Sequence, residues 1–113
     1  MGNAKLNKFE FLWKVLGGPE LQKEYRFEPT RRWRVDYFAN GVAVEIEGAI
    51  WVQGRHTRPS GFMKDIEKYN RLAEKGILLF RVPAHQITAK WLEPIIQTMK
   101  GKQWAYTMRL GMN

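Results

Sequence analysis

Apolar and polar residues alternate along two runs, residues 33–39 and 42–48, which flank Asn40-Gly41. Asn-Gly between alternating runs is the strongest short-range signal of a β-hairpin, because both turn residues need positive φ angles. A two-residue turn fixes the register, so Asp36 is predicted to oppose Glu45. Period-two alternation then sorts the side chains onto two faces. The predicted core face carries Trp33, Val35, Tyr37, Val44 and Ile46, and the other carries Arg34, Asp36, Phe38, Ala43, Glu45 and Glu47.

Helical spacing of apolar residues predicts three helices, each bounded by residues that favour helix ends. The second helix is predicted to have an apolar stripe, which comprises Phe62, Ile66, Tyr69 and Ala73. Pro94 is predicted to kink or interrupt the third helix. The predicted spans are residues 4–16, ended by Gly17-Gly18-Pro19; residues 61–75, with Ser60 as N-cap and Gly76 after the C terminus; and residues 88–100, with Thr88 as N-cap.

The remaining apolar stretches predict strands. Residues 77–82 form a nearly continuous apolar run, which is typical of a buried central strand, and a helix separates them from the hairpin. A right-handed crossover to a parallel partner is therefore expected. Residues 102–113 alternate and allow a terminal edge strand. The prediction is a three-layer α/β fold in which helices cover a small mixed sheet. The predicted strands are residues 25–28, 33–39, 42–48 and 77–82, and residues 20–24 form a polar link before the first of them.

The chain has 113 residues, which predicts one domain, and its 19 Lys and Arg against 11 Asp and Glu give a net charge of +8. That charge favours a polyanionic partner, nucleic acid before an anionic membrane. The absence of Cys excludes disulfides, thiolate zinc sites and Cys nucleophiles. No apolar run approaches the ~18 residues of a membrane span, and the N terminus lacks the apolar core of a signal peptide, so a cytoplasmic protein is expected.

Acidic residues are predicted to cluster on the hairpin. Like charges directly opposed on an antiparallel pair destabilise a sheet, and Asp36 and Glu45 are predicted to be so placed, with Glu47 next along. A divalent cation would remove the repulsion. Glu10 approaches them if the first helix packs on the hairpin, and carboxylates around one or two Mg²⁺ ions are the usual apparatus of phosphodiester hydrolysis. The alternative is a solvated acidic patch balanced by Arg34, with Glu10 exposed on its helix.

Basic residues fall in three groups. In the loop after the hairpin, His56 is a candidate general acid or base, because the unperturbed pKa of a histidine side chain lies near neutrality. Arg55 and Arg58 are candidate phosphate ligands. The other groups suit contact with a nucleic-acid backbone, and the aromatic residues between the arginines suit stacking on unpaired bases. The alternatives are solvated charges and aromatics facing the core. These groups are the helix stripe Lys64, Lys68 and Arg71, and the band Arg26, Arg31, Arg32 and Arg34, interleaved with Tyr25, Phe27 and Trp33.

Taken together, these residues resemble the PD-(D/E)XK nuclease superfamily, and within it small phage-type endonucleases similar to very-short-patch mismatch endonucleases and archaeal-type Holliday junction resolvases. The resemblance covers residues of about 9–82 and implies a restriction-endonuclease-like fold. It also implies a Mg²⁺-dependent endodeoxyribonuclease, with Mn²⁺ as a possible substitute. The segments that carry it are Phe9–Leu16, whose Glu10 matches a glutamate of the family's site, Asp36, Glu45-Ile46-Glu47-Gly48, Gly54-Arg55-His56, Asp65-Ile66-Glu67-Lys68-Tyr69-Asn70 and Leu79-Phe80-Arg81-Val82.

The chain departs from the family pattern at two positions. The E-x-K motif would place Lys where this chain has Glu47, so His56 or Lys68 is expected to supply the missing cation, and Val35 stands where the family has Pro. The expected substrate is a Holliday junction or other branched DNA. The alternatives are a monomeric mismatch-nicking endonuclease and a non-catalytic DNA-binding module. The residues implied as catalytic are Glu10, Asp36, Glu45, Glu47, His56 and Lys68, with Asp36, Glu45, Glu47 and Glu10 as metal ligands.

Residues 85–113 are expected to form much of a homodimer interface. A four-way junction has two-fold symmetry, and a closed dimer places two sites in that relation. Aromatic residues and Met are enriched at interfaces. The alternative is that this segment covers the sheet of its own chain. The single domain is predicted to comprise an N-terminal helix (residues 1–18), a catalytic core (25–82) and a C-terminal helix and tail (84–113). The candidate interface residues are Trp91, Ile95, Met99, Trp104, Tyr106, Met108 and Leu110.

Overall fold

A computed structural model describes residues 3–48 and 59–109 of the chain. Within them, three α-helices and one 3-10 turn accompany four β-strands. No helix in these two ranges is long and apolar enough to cross a membrane. The elements are α1 (Asn3–Val15), β1 (Gln22–Tyr25), β2 (Val35–Ala39), β3 (Val42–Glu47), α2 (Pro59–Glu74), β4 (Leu78–Pro83), a 3-10 turn (Ala84–Gln86) and α3 (Ala89–Arg109).

The four strands form one mixed sheet in the order β1-β2-β3-β4. The hairpin is confirmed: Asn40 and Gly41 have φ angles of 52° and 78°, and Ala39 pairs with Val42 in the predicted register. β4 follows α2 and pairs in parallel with β3, which confirms the predicted parallel crossover partner. The α/β fold and the mixed sheet are therefore as the sequence predicts.

Both faces of the sheet are covered by helices. One buried cluster contains residues of α1, the sheet and α3, including Phe9, Tyr37 and Met99. A second cluster lies beneath α2 and includes Leu72 and Ala43. The hairpin face expected to be polar is therefore partly a second core. Val35 and Trp33 also belong to this second cluster, so the prediction that they share a core face with Tyr37 is wrong. Trp33 precedes β2, and the pairing of β2 with β3 has ended before Val35.

Two predicted strands are misplaced. β1 spans Gln22–Tyr25 rather than residues 25–28, and its first three side chains are exposed, so it has no apolar pattern that a sequence could display. After Tyr25 the chain leaves the sheet and buries Phe27. β4 was expected to be central but is the outermost strand on its side, with Leu78 47% exposed. β4 is apolar because helices pack on both faces of the sheet. A strand can be covered in this way without having a neighbouring strand on each side, so its apolar run did not show that it is central.

Two predictions about helices are also corrected. α2 begins at Pro59, so Ser60 lies within it. Its buried face centres on Leu72, which is 1% exposed, whereas Ile66 is 37% exposed and Ala73 is exposed as well. α2 ends as predicted: Gly76 has a φ of 72°, and Ile77 N–H donates to the Leu72 carbonyl, which is a Schellman arrangement.

α3 runs for 21 residues without a break at Pro94, and it includes residues 102–109, where an edge strand was expected. Apolar residues at helical spacing lie on both sides of Pro94 and hold the helix against the sheet. They are Leu92, Ile95, Ile96 and Met99, each at most 2% exposed. Trp91 is half-buried and packs against the same cluster.

Candidate acidic site

The acidic site lies where β2 and β3 diverge beneath α2. The paired residues of the hairpin run from Ala39–Val42 to Tyr37–Val44. At the next position the side chain of Asp36 accepts a hydrogen bond from Ile46 N–H, with 2.7 Å between Oδ2 and N. The Asp36 carboxylate is thereby held between the two strands, beside the backbone that links Glu45 and Glu47.

Glu45 is buried, at 8% exposure, and its carboxylate is held by two consecutive residues of α2. Lys68 Nζ forms an ion pair with Glu45 Oε2, and the two side chains are only 17% and 10% exposed. Tyr69 donates its hydroxyl to Glu45 Oε1 at 3.3 Å. Lys68 of α2 therefore places a positive charge beside β3, although Glu47 stands at the position where the E-x-K motif has lysine.

Glu47 has a second cation as its partner. Arg81 Nε lies 3.2 Å from Glu47 Oε2, and Arg81 Nη2 donates to the Tyr69 hydroxyl at 3.0 Å. The guanidinium also lies 4.8 Å from the centre of the Tyr69 ring. The sequence patterns place Tyr69 on the predicted apolar stripe of α2, but they predict a role in the acidic site for neither Tyr69 nor Arg81. Tyr69 joins the Lys68–Glu45 pair to the Arg81–Glu47 pair.

Burial disfavours the charged forms of two of these acids. It raises the pKa of Asp36 above its usual range, against the opposing effect of the Ile46 N–H bond. It also raises the pKa of Glu45, although Lys68 acts in the opposite direction. Glu47 contributes repulsion to both. Acids whose pKa values are raised by burial and by one another are typical of functional sites.

Glu24 is a further acid that the sequence did not single out. It lies on β1 between the pairs Lys23–Tyr37 and Tyr25–Val35, which places it opposite Asp36. Its φ angle of 51° is uncommon for a residue other than Gly. Glu24 forms an ion pair with Arg34 at 3.8 Å and raises the pKa of Asp36. No pattern in the sequence distinguishes it from the polar link predicted at residues 20–24.

Glu10 is placed apart from these acids. Its carboxylate accepts a hydrogen bond from the Tyr37 hydroxyl at 2.7 Å and forms an ion pair with Lys23 at 2.9 Å. The Tyr37 bond, and then Lys23, lowers the pKa of Glu10. Since neighbouring residues of a strand point to opposite faces, Tyr37 and Asp36 occupy different sides of β2. The structure therefore does not bring Glu10 into the group formed by Asp36, Glu45 and Glu47.

The donor set was tested against a metal ion. Within residues 3–48 and 59–109, no three His, Asp or Glu side chains lie together as a ligand set, so the predicted set of four carboxylates is not assembled there. Asp36 and Glu45 nevertheless lie close enough for Asp36 to raise the pKa of Glu45, and both supply hard oxygen donors. Mg²⁺ is commonly held by one or two carboxylates and completes its shell with water and substrate phosphate oxygens. Two carboxylates are therefore a donor set that fits Mg²⁺ or Mn²⁺.

The predicted basic band lies on residues 26–34, a loop fastened to α2. Buried Glu28 holds it there, since its carboxylate accepts from the Thr30 hydroxyl at 2.7 Å and pairs with Arg71 at 3.2 Å. Arg31 lies 4.0 Å above the Trp33 ring and also pairs with Glu67. The loop thus presents its basic side chains from a fixed backbone. Arg26 bonds the Arg31 carbonyl at 2.9 Å, and Arg32 and Arg34 are exposed.

Several predicted residues lie outside the described part of the chain. Arg55, His56 and Arg58 fall within residues 49–58, and the side chain of Lys64 is likewise outside it. Their expected roles stay predictions. Of the two candidates for the missing cation, the structure places Lys68 at Glu45, and no observation bears on His56.

Comparison of the chain with models of protein families, with curated proteins and with solved structures finds no match.

Proposed function

We propose that this protein is a Mg²⁺-dependent DNA endonuclease of the PD-(D/E)XK type. The observation that carries the proposal is the ion pair between Lys68 and buried Glu45, beside Asp36. An E-x-K site needs two carboxylates and one lysine, and these three residues provide them from β2, β3 and α2. The lysine comes from a helix instead of from the acidic strand.

Each of these residues has a proposed role. Asp36 and Glu45 would hold the metal, which when bound would lower the pKa of an attacking water and stabilise the charge that develops on phosphate. Lys68 places a positive charge at the same carboxylates and stabilises the phosphate oxygens. Tyr69 is a positioning residue, because its hydroxyl donates to Glu45 Oε1, the carboxylate oxygen that is not paired with Lys68. Glu47 is assigned to holding Arg81 rather than to the metal.

The proposed substrate is DNA, with branched DNA favoured. A net charge of +8 on 113 residues attracts a polyanion over a long range, and the basic loop 26–34 provides fixed phosphate contacts. The preference for a Holliday junction over plain duplex comes from the resemblance to junction resolvases.

A non-catalytic DNA-binding module is the second candidate. It is favoured by the observation that Asp36, Glu45 and Glu47 already have partners in Ile46 N–H, Lys68 and Arg81. In that case the acids only hold α2 and β4 to the hairpin. The two candidates differ in what Asp36→Asn does. A nuclease loses cleavage and keeps its affinity for DNA, whereas a binding module has no cleavage to lose.

The test is cleavage of a labelled duplex, a mismatched duplex and a four-way junction in parallel, with Mg²⁺ and with a chelator. The expected result is Mg²⁺-dependent cleavage that is fastest on the junction and abolished by Asp36→Asn, while Asp36→Asn binds DNA at least as tightly as the wild type. Glu20→Gln is the control, because Glu20 is exposed in the link between α1 and β1. Faster nicking of the mismatched duplex would assign the mismatch activity instead, and the absence of any cleavage would favour the binding module.

A homodimer remains part of the proposal, now supported only by the symmetry of a junction. Three residues of the expected interface, Trp91, Ile95 and Met99, pack in the core of their own chain instead. The side chains of Trp104, Tyr106 and Met108, and the whole of Leu110, lie outside the described part. Light scattering with and without junction DNA tests the dimer. A particle that stays monomeric on the junction would contradict it.

A further inference from the structure

A groove of about 280 Å³ lies between β4 and α3, close to the acidic site. Its apolar lining comes from both elements, and two cations complete it. β4 is the outermost strand of the described sheet, so the groove follows the sheet's edge. The lining residues are Phe80, Arg81, Lys90, Trp91, Pro94 and Ile95.

The chemistry of this lining is that of a nucleotide site. Trp91 and Phe80 supply aromatic surface, and the Trp91 ring is held in place because its indole N–H donates to Gln86 Oε1 at 3.2 Å. Arg81 and Lys90 are exposed cations, and no lining residue is acidic. Aromatic side chains next to cations bind single strands, since bases stack on the rings while the cations contact phosphates.

Arg81 connects the groove with the acidic site. Its guanidinium lines the groove and also bonds Glu47 Oε2 at 3.2 Å. Arg81 pairs with Glu45 in the register of β3 and β4, so it lies one strand away from the Lys68–Glu45 pair. Phe80, Trp91 and Ile95 pack on the opposite face of the sheet, with α1 and α3. A DNA strand whose phosphate lies at Asp36 and Glu45 would therefore pass round the β4 edge of the sheet at Arg81 before its next nucleotides enter the groove.

We propose that this groove binds unpaired nucleotides next to the cleaved phosphate, so that the preferred substrates carry a single-stranded segment beside a duplex. This inference rests on the proposed nuclease function and specifies its substrate. The occupant is a nucleic-acid strand because the groove combines aromatic surface with two positive charges. An apolar peptide would leave the charge of Lys90 without a counter-charge, and it would not use the positive charge that Arg81 shares with Glu47.

The test measures binding without cleavage, using wild-type protein in the presence of a chelator. Fluorescence anisotropy compares a blunt duplex, the same duplex with a short single-stranded arm, and the same arm with abasic sites. The armed duplex should bind about fivefold or more tightly than the blunt duplex, which is the lower end of what stacking one base on an aromatic ring contributes. The abasic arm should lose that advantage, because it keeps the phosphates but has no bases to stack.

Variants locate the effect in the groove. Trp91→Ala should remove the advantage of the armed duplex, and Lys90→Gln should weaken binding of both the normal and the abasic arm. The matched controls are Phe11→Ala, at a residue 72% exposed on α1, and Lys100→Gln, at an exposed position of α3. Both controls should behave like the wild type. Circular dichroism verifies folding, and the abasic comparison needs no variant if Trp91→Ala fails to fold.

Equal binding of blunt and armed duplexes would overturn the proposal, as would an abasic arm that binds as tightly as the normal one. These failures are distinct from a failure of the nuclease function. If a plain duplex is cleaved with Mg²⁺ but the arm gives no advantage, the groove has been assigned wrongly while the acidic site stands. If the arm binds through Trp91 but no DNA is ever cleaved, the groove is a strand-binding site of a non-catalytic module.

Discussion

Asp36 is a carboxylate in surroundings that favour its protonated form. Burial raises its pKa above the ordinary 3.8, and Glu24 and Glu47 add repulsion. A carboxyl group whose pKa is raised by folding binds its proton more tightly in the folded state than in the unfolded state. The free energy of unfolding therefore falls as the pH rises from the ordinary pKa to the raised one, and the full penalty persists above that window.

Asp36→Asn should consequently stabilise the protein at neutral pH, because it removes this penalty while the amide oxygen can still accept the Ile46 N–H bond. Below the ordinary pKa of Asp36 the two proteins should unfold at nearly the same temperature. Thermal unfolding followed across this range measures the difference, with Glu20→Gln as the control. A variant less stable than the wild type at neutral pH would show that Asp36 serves the fold.

The elements of this chain differ in how far the sequence determines them. The hairpin could be predicted because its information is local: Asn40-Gly41 fixes the turn, and the turn fixes the register. The face that α2 turns towards the sheet could not be predicted from the sequence. Ile66 fits an apolar stripe as well as Leu72 does, and only packing against the sheet selects Leu72 as the buried residue. β1 was misplaced because an exposed edge strand needs no apolar alternation.

The acidic site shows the same division. The hairpin register predicts Asp36 opposite Glu45, but the paired residues end at Tyr37–Val44, and the Asp36 carboxylate instead accepts a hydrogen bond from Ile46 N–H. Lys68 was one of two candidates for the missing cation, and its contact with Glu45 spans 23 residues through a helix whose docking the sequence does not specify. Glu24 could not be found, because its place opposite Asp36 depends on the pairing of β1, and its positive φ angle has no residue-type signal.

The packing of α2 is what holds Lys68 at Glu45, and Leu72 is its best-buried described side chain. Leu72→Ala should lower the free energy of unfolding by about 2–5 kcal/mol, through lost burial and a residual cavity. Ile66→Ala, on the exposed side of the same helix, should change it by about 0.5 kcal/mol or less. Urea unfolding measures both. Equal effects would indicate that α2 docks with Ile66 facing the core.

At the scale of the whole molecule, the protein is strongly basic, although its candidate site is acidic. The net charge of +8 should make DNA affinity depend steeply on salt, with log affinity falling by about 0.9 per log unit of salt for each phosphate contacted on duplex. Arg32→Gln, in the basic loop, should reduce this slope by about one phosphate. Lys14→Gln, at an exposed position of α1, should leave it unchanged. Binding that does not respond to salt would exclude phosphate contacts as its source.

In the proposed nuclease, Lys68 acts in the cleavage reaction and is not merely the ion-pair partner of Glu45. The most direct measurement is the single-turnover rate of Mg²⁺-dependent DNA cleavage by wild type, Lys68→Arg and Lys68→Met, with Lys100→Met as the matched control. Removing the partner of a buried acid is destabilising, so the rates are taken at a temperature where circular dichroism finds every variant folded.

Lys68→Met should lower the rate by about 100-fold or more, which is typical for the loss of one group that stabilises transition-state charge, while DNA affinity changes little. Lys68→Arg, which keeps the charge, should retain part of the rate, and Lys100→Met should cleave like the wild type. A folded Lys68→Met that cleaves DNA at the wild-type rate would contradict the account.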